Sequence, residues 1–156
     1  MDKTKELEKA GKYLKLAQYN ADLFSKDPHC KVGSIILTDD FSRILTTGIN
    51  GFVRKMNDDN LERWERPTKY VHISHAESNA VANCARTGTP TDNSIIVVTK
   101  FPCSTCTKLL IQAGIKKIYT ITPDYYSDKW GNDAKISEEM LNEVGIEVVK
   151  FDQVII

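Results

Sequence analysis

Two short segments hold residue types that can do chemistry together: His75-Ala76-Glu77 and Pro102-Cys103-Ser104-Thr105-Cys106. A helix turns about 300° between Cys103 and Cys106, which brings both sulfurs to one side and within reach of a single ion. Pro102 suits a helix entrance, because its missing N–H would have had no intrahelical partner. A helix N-terminus also favours negative charge and so helps both thiols toward thiolates. With His75 as the third ligand, the fourth tetrahedral position is left to water, which marks a catalytic rather than a structural zinc. Zinc lowers the pKa of such a water, and Glu77 stands close enough in sequence to take its proton. One condition attaches. Residues two apart on a helix point about 200° apart, so His75 must lie at a helix entrance if Glu77 is to turn over the same ion.

Taken singly, the parts have blander readings. A C-x-x-C pair is often a structural metal clip or a redox motif, and an H-x-E triplet has little specificity. Cys84 is available as a fourth ligand for a structural zinc, but it falls on a helix face that reads as core. His72 reads as a polar loop residue, and His29 and Cys30 lie in a turn. The joint pattern, with Pro102 in place, points to a catalytic zinc.

Positioning these groups requires a folded scaffold, and the hydrophobic pattern supplies one. Leu7, Ala10, Leu14, Ala17, Ala21 and Phe24 form one apolar stripe of a first helix, which Ser25-Lys26-Asp27-Pro28 ends. Two strands follow, Val32 to Leu37 and Ile44 to Asn50, joined by the polar turn Thr38-Asp39-Asp40-Phe41-Ser42. From Gly51 to Thr68 the chain is polar and without period, a long loop of the functional or mobile kind. A helix follows His75, then a strand at Ser94 to Val98, a helix at Cys103 to Ala113 and a strand at Lys117 to Ile121. Ser137 is expected to cap a last helix running to Val144, with Gly145 as its stop and Ile146 to Phe151 as a final strand. Alternation in the second half argues for parallel strands with helices packed on the sheet.

The 156 residues, 41% of them apolar, suffice for one domain with its own core, and no repeat or linker divides them. Lysine plus arginine and aspartate plus glutamate both number 21, so the basic excess that long nucleic acid demands is missing. No apolar run approaches the roughly 20 residues that cross a bilayer. The start, Met1-Asp2-Lys3-Thr4-Lys5-Glu6, lacks a signal-peptide core, so the expectation is a cytoplasmic protein without membrane or nucleic-acid partners. The four cysteines, Cys30, Cys84, Cys103 and Cys106, need not form disulfides in such a compartment.

The two chemical segments match the two-part signature of the zinc cytidine and deoxycytidylate deaminases, and the chain resembles that family over most of residues 5 to 126. Three flanking segments resemble its deoxycytidylate branch: Ser25-Lys26-Asp27-Pro28 with Val32-Gly33, Gly48-Ile49-Asn50-Gly51, and His75-Ala76-Glu77-Ser78-Asn79-Ala80. The resemblance implies class α/β: a three-layer α/β/α cytidine deaminase-like fold with a central mixed sheet of five strands, spanning residues 1–156 as a single domain. It implies hydrolysis of deoxycytidine monophosphate (dCMP) to dUMP and ammonia, feeding thymidylate synthesis. One Zn²⁺ per chain would sit on His75, Cys103 and Cys106, with Glu77 carrying protons between the water, ring N3 and the leaving amine.

By the same resemblance, Asn50 would bind the sugar hydroxyl, and Ser25, Lys31 and Asn79 would lie near sugar and phosphate. Ala76, through its backbone N–H, would hold the base edge, and Tyr125 would border the pocket. Arg54 is a surface charge that phosphate contact would suit equally. Relatives are homo-oligomers, commonly hexamers. Activation by dCTP and inhibition by dTTP are implied too, with Mg²⁺ only beside a bound triphosphate effector, although Ile49 stands where the branch has a loop tyrosine. A second zinc found in some relatives is not expected, because residues 51–71 contain neither cysteine nor histidine. The rivals are a tRNA adenosine deaminase and a free cytidine or cytosine deaminase. From another class, a non-catalytic zinc scaffold or nucleotide-binding module competes, which would have no use for Glu77.

Overall fold

The structure, a computed structural model, describes residues 1–154. A first helix, α1 (Lys3–Phe24), is capped by the Asp2 carboxylate, which accepts from the backbone N–H of Thr4 and Lys5. Strands β1 (Gly33–Leu37) and β2 (Ile44–Ile49) form an antiparallel hairpin. A two-strand ribbon then pairs β3 (Gly51–Phe52) with β4 (Ile73–Ser74), and the short helix α2 (Thr68–His72) lies between them. The remainder alternates: α3 (Ala76–Thr87), β5 (Ile95–Val98), α4 (Ser104–Gln112), β6 (Lys117–Ile121), α5 (Gly131–Glu143) and β7 (Glu147–Phe151).

The main sheet has the order β2-β1-β5-β6-β7. β5, β6 and β7 run parallel, whereas β1 is antiparallel to both its neighbours, so the sheet is mixed and five-stranded. β1 and β5 are buried along their whole length because helices cover both faces, which explains the unbroken apolar run of β5 and leaves Ser34 as the one polar side chain of β1. Alternate side chains divide the core in two. Ile35, Leu37, Ile95 and Val97 pack on Ala10, Leu14 and Ala17 of α1. Ile36, Ile96, Val98 and Ile118 face the other way, onto Ala80 and Cys84 of α3, Leu110 of α4 and Leu141 of α5. This is the expected three-layer arrangement.

Several local expectations need correction. Phe24 continues the α1 period but is 66% exposed, since the core face of the helix ends at Ala21. The stretch after Gly51 is not wholly irregular: it contributes β3 and a 3-10 turn at Leu61–Trp64, anchored by Trp64 stacked on Phe52 with ring centroids 4.0 Å apart. His72 belongs to α2 and not to a loop. Ser137 does not cap α5. It lies in the middle of that helix, fully buried, and the helix begins at Gly131. Glycine starts it for a steric reason: a Cβ there would fall 2.3 Å from the Tyr125 carbonyl oxygen. Gly145 follows α5 with φ +76°, the left-handed stop that was expected.

One close approach ties the fold to the site. The first turn of α3 lies directly against β2, where a Cβ on Gly48 would stand 2.1 Å from the Ala76 carbonyl oxygen and 2.8 Å from Ala80 N. Ser34 Oγ of β1 donates to that same carbonyl at 2.9 Å. Gly48→Ala should therefore lift the start of α3 from the sheet, destabilising the protein by about 1–3 kcal/mol or more in urea denaturation. Its zinc content after purification should fall as well.

Candidate metal centre and its cavity

His75 and Cys103 are both helix N-caps. His75 precedes α3 with φ −76° and ψ 157°, and Cys103 precedes α4 with φ −67° and ψ 166°, so both residues are extended. That backbone meets the condition set by the H-x-E spacing: His75 stands outside the helix, and Glu77 can share its side. It also corrects the picture of two cysteines on one helix. Cys103 is the cap, Cys106 is helical, and Pro102 lies one residue before the cap instead of at the first helical position.

The three donors converge. Nδ1 of His75 lies 3.4 Å from Cys103 Sγ and 3.5 Å from Cys106 Sγ, and all three ligand atoms fall within 4.8 Å of one another. A tetrahedral zinc with ordinary Zn–S and Zn–N bonds places its nitrogen and sulfur ligands about 3.6 Å apart. The donor set fits zinc in both chemistry and spacing. No fourth His, Cys, Asp or Glu joins the group among the described residues. Cys84 is packed in the core between α3 and the sheet, and Cys30 lies on the cavity wall.

Electrostatics within the cluster favour a cation. Cys106 hydrogen-bonds Cys103, which pulls the Cys103 thiol down and pushes the Cys106 thiol up, so without added positive charge the pair resists a second ionisation. His75 is raised by its hydrogen bond to Cys103. The Ser78 hydroxyl lies 3.4 Å from Cys106 Sγ, within reach as a donor to a thiolate. Glu77 is 4% exposed, and burial pushes its carboxyl up to about 7.

A cavity of about 390 Å³ opens on this cluster. Its walls include Thr99–Cys103 after β5 and, from the last residue of β6 onward, Ile121–Asp124, the carboxyl ends of two parallel strands, where open α/β sheets bind ligands. His75, Ala76 and Glu77 form part of the lining. The size suits one nucleotide.

The sequence profile described as the cytidine and deoxycytidylate deaminase zinc-binding region matches residues 7–122. The chain belongs to this family. It is 37% identical over 127 residues to an uncharacterized deaminase of Aliivibrio fischeri, covering 80% of this chain and 82% of that one. It is 34% identical over 133 residues to the human deoxycytidylate deaminase, covering 81% and 71%. Among solved structures, the dCMP deaminase of cyanophage S-TIM5 in complex with dCMP and dUMP aligns with a TM-score of 0.73 at 28% identity. That alignment covers 97% of this chain and 99% of the phage chain.

Other residues expected at the site of this deaminase are placed as follows. Asn50 lines the cavity but is 5% exposed, and its amide is saturated: Oδ1 accepts from Ser25 Oγ and Val32 N, and Nδ2 donates to Asp27 and to the Cys30 carbonyl. Ser25, Lys31, Asn79 and Tyr125 are not among the lining residues. Ser25 is buried behind Asn50, and Lys31 Nζ donates to the Asp22 carbonyl. Asn79 accepts from Ser74 Oγ and donates to the Ile49 carbonyl, and Tyr125 OH donates to Glu138. Arg54 pairs with Asn83 away from the cavity lining.

Sequence reading missed two interactions of the deaminase's cavity. The first is an ion pair between Lys69 Nζ and Asp27 Oδ2 at 2.6 Å, with side chains 6% and 0% exposed. Burial pushes the Asp27 carboxyl up. Lys69 and the backbone N–H groups of His29 and Cys30 outweigh that and hold it below its ordinary value. The second is Asp133 of α5, whose carboxylate accepts from Ser104 N at 2.8 Å and Ser104 Oγ at 2.6 Å, bracing the turn that carries Cys103.

Lys69→Met should cost about 3–5 kcal/mol in chemical denaturation, because a buried carboxylate loses its cation. The lowered Asp27 pKa stabilises the wild type above the unfolded carboxylate pKa and is lost as pH falls through the folded value, so this variant should show a flatter acid limb. Asp133→Ala should keep its secondary structure by circular dichroism yet bind zinc about 10–100-fold more weakly in chelator competition.

Proposed function

We propose that this chain hydrolyses dCMP to dUMP and ammonia, as one catalytic domain with His75, Cys103 and Cys106 as zinc ligands. The observation that carries this reading is the buried Glu77 carboxylate on the wall of the cavity into which His75 and Cys103 face. A structural zinc needs no such group. The deoxycytidylate deaminase activity of the human relative and the nucleotides bound to the phage structure support dCMP as the substrate.

His75, Cys103 and Cys106 would hold the zinc ion, which would supply a water of lowered pKa. Glu77 accepts a proton from that attacking water and donates it to ring N3 as the new C4–O bond forms. The second water proton then passes through Glu77 to the exocyclic nitrogen, the C4–N bond breaks, and ammonia leaves. Burial keeps the Glu77 carboxyl near neutrality, where it can both take and give a proton at physiological pH. Ala76 and Cys103, both on the cavity wall, offer backbone groups to the base edge. Asn50, with its amide fully used, serves by fixing the wall formed by Asp27, Cys30 and Val32.

A homo-oligomer is part of the proposal. Leu16, Tyr19 and Leu23 lie exposed along one face of α1 and offer an apolar surface to a second copy. No helix among the described residues is long and apolar enough to cross a membrane.

Zinc-loaded protein should release one ammonia per dCMP consumed and act far more slowly on cytidine and on an anticodon stem-loop. Glu77→Gln should retain zinc and lose about 10²–10⁴-fold in turnover. Preference for the stem-loop, or full activity in the variant, would sink the reading.

A further inference from the structure

Beside the cavity, three cations gather around two aromatic rings. Tyr70 and Trp130 meet edge to face with centroids 6.3 Å apart. Lys129 Nζ sits 3.2 Å from the Tyr70 centroid and Arg66 Cζ 5.9 Å from the same ring, while Lys100 Nζ lies 5.6 Å from the Trp130 centroid. Lys69, buried on the cavity wall, is committed to Asp27. Arg66, Lys100 and Lys129 form neither an ion pair nor a hydrogen bond with any described residue.

Three carboxylates on the cavity wall hold other partners: Asp27 pairs with Lys69, Asp133 accepts from Ser104, and Asp124 accepts from Tyr126 N. Like charges that pair with no described carboxylate repel one another. Lys129 registers this: its ammonium is pulled down by desolvation and then by Arg66 and Lys69. Such a group becomes favourable when an anion with several acceptor oxygens enters.

We propose that Arg66 and Lys129, flanking Tyr70, form the subsite for the substrate's 5′-phosphate, with Lys100 on the side nearer the metal cluster. The inference rests on the monophosphate reading above and sharpens it, since it moves phosphate recognition away from Ser25, Lys31 and Asn79. Arg66, Tyr70, Lys100 and Trp130 line the cavity, and Lys129, itself off the lining, sits over the Tyr70 ring, whereas Ser25, Lys31 and Asn79 lie off the lining and are bound to other parts of the chain. The mouth formed by α2, the residue preceding it by two positions, and the segment between β6 and α5 thus discriminates nucleotide from nucleoside. The metal end reads only the base.

The product avoids turnover as a confounding variable. Calorimetric titration of the zinc-loaded protein should show dUMP binding at least about tenfold more tightly than deoxyuridine, with inorganic phosphate competing and the preference falling as salt rises. Arg66→Ala/Lys129→Ala, at two exposed positions, should erase that preference without lowering the melting temperature. Wild-type protein that binds dUMP no better than deoxyuridine overturns the subsite. So does a double variant that keeps the preference, or a Lys31→Ala variant that loses it instead. Ammonia release from dCMP tests the catalytic reading separately: protein that prefers dUMP but does not deaminate dCMP keeps the subsite and loses the reaction.

Discussion

Two helices begin at one end of a parallel strand pair, and each begins on a member of the His75, Cys103 and Cys106 cluster. A helix N-terminus has free backbone donors and a partial positive charge, so it tolerates thiolates and a carboxylate that a helix middle would not. The cap residue is also the one position where the chain is still extended. His75 and Cys103 use that extension to reach sideways, while Glu77 and Cys106 project from the first turns behind them. Everything else in the molecule serves to bring those two turns together and hold them.

That support comes from three directions. β1 and β2 locate α3 through Ser34 and through the missing side chain of Gly48, which sets how close helix and sheet can lie. α5 reaches across to α4 through Asp133. On the far wall, Asp27, Ser25 and Asn50 knit the end of α1 to the strand ends, with Lys69 brought in from α2. A buried ion pair of this kind adds little net stability, because desolvation cancels most of the attraction. Its effect is geometric: α2 cannot leave the cavity mouth without abandoning a charge.

The cavity is therefore divided in its chemistry. One end holds soft ligands and a buried acid whose pKa is governed by desolvation. The other holds exposed cations on aromatic rings that pair with no described carboxylate. A nucleotide has matching ends, an amidine that needs proton transfer and a phosphate that needs charge, joined by a sugar that needs mostly room.

The sequence by itself determined the order of the five main strands and four long helices, the stripe of α1 as far as Ala21, the buried character of β5, and the spacing that lets His75, Cys103 and Cys106 converge. These are local matters: periodicity, cap chemistry and spacing lie within a few residues of one another. Tertiary structure alone decided that Lys69 is buried, since its charge finds a partner forty-two positions away in Asp27. It decided that Asn50 has no bond left for a ligand, and that α5 opens at Gly131, where Tyr125 crowds the chain, and not at Ser137. It also gathered Arg66, Lys100 and Lys129 around one mouth. Each of these depends on which distant segments the sheet order makes neighbours, and no single stretch of chain carries that information.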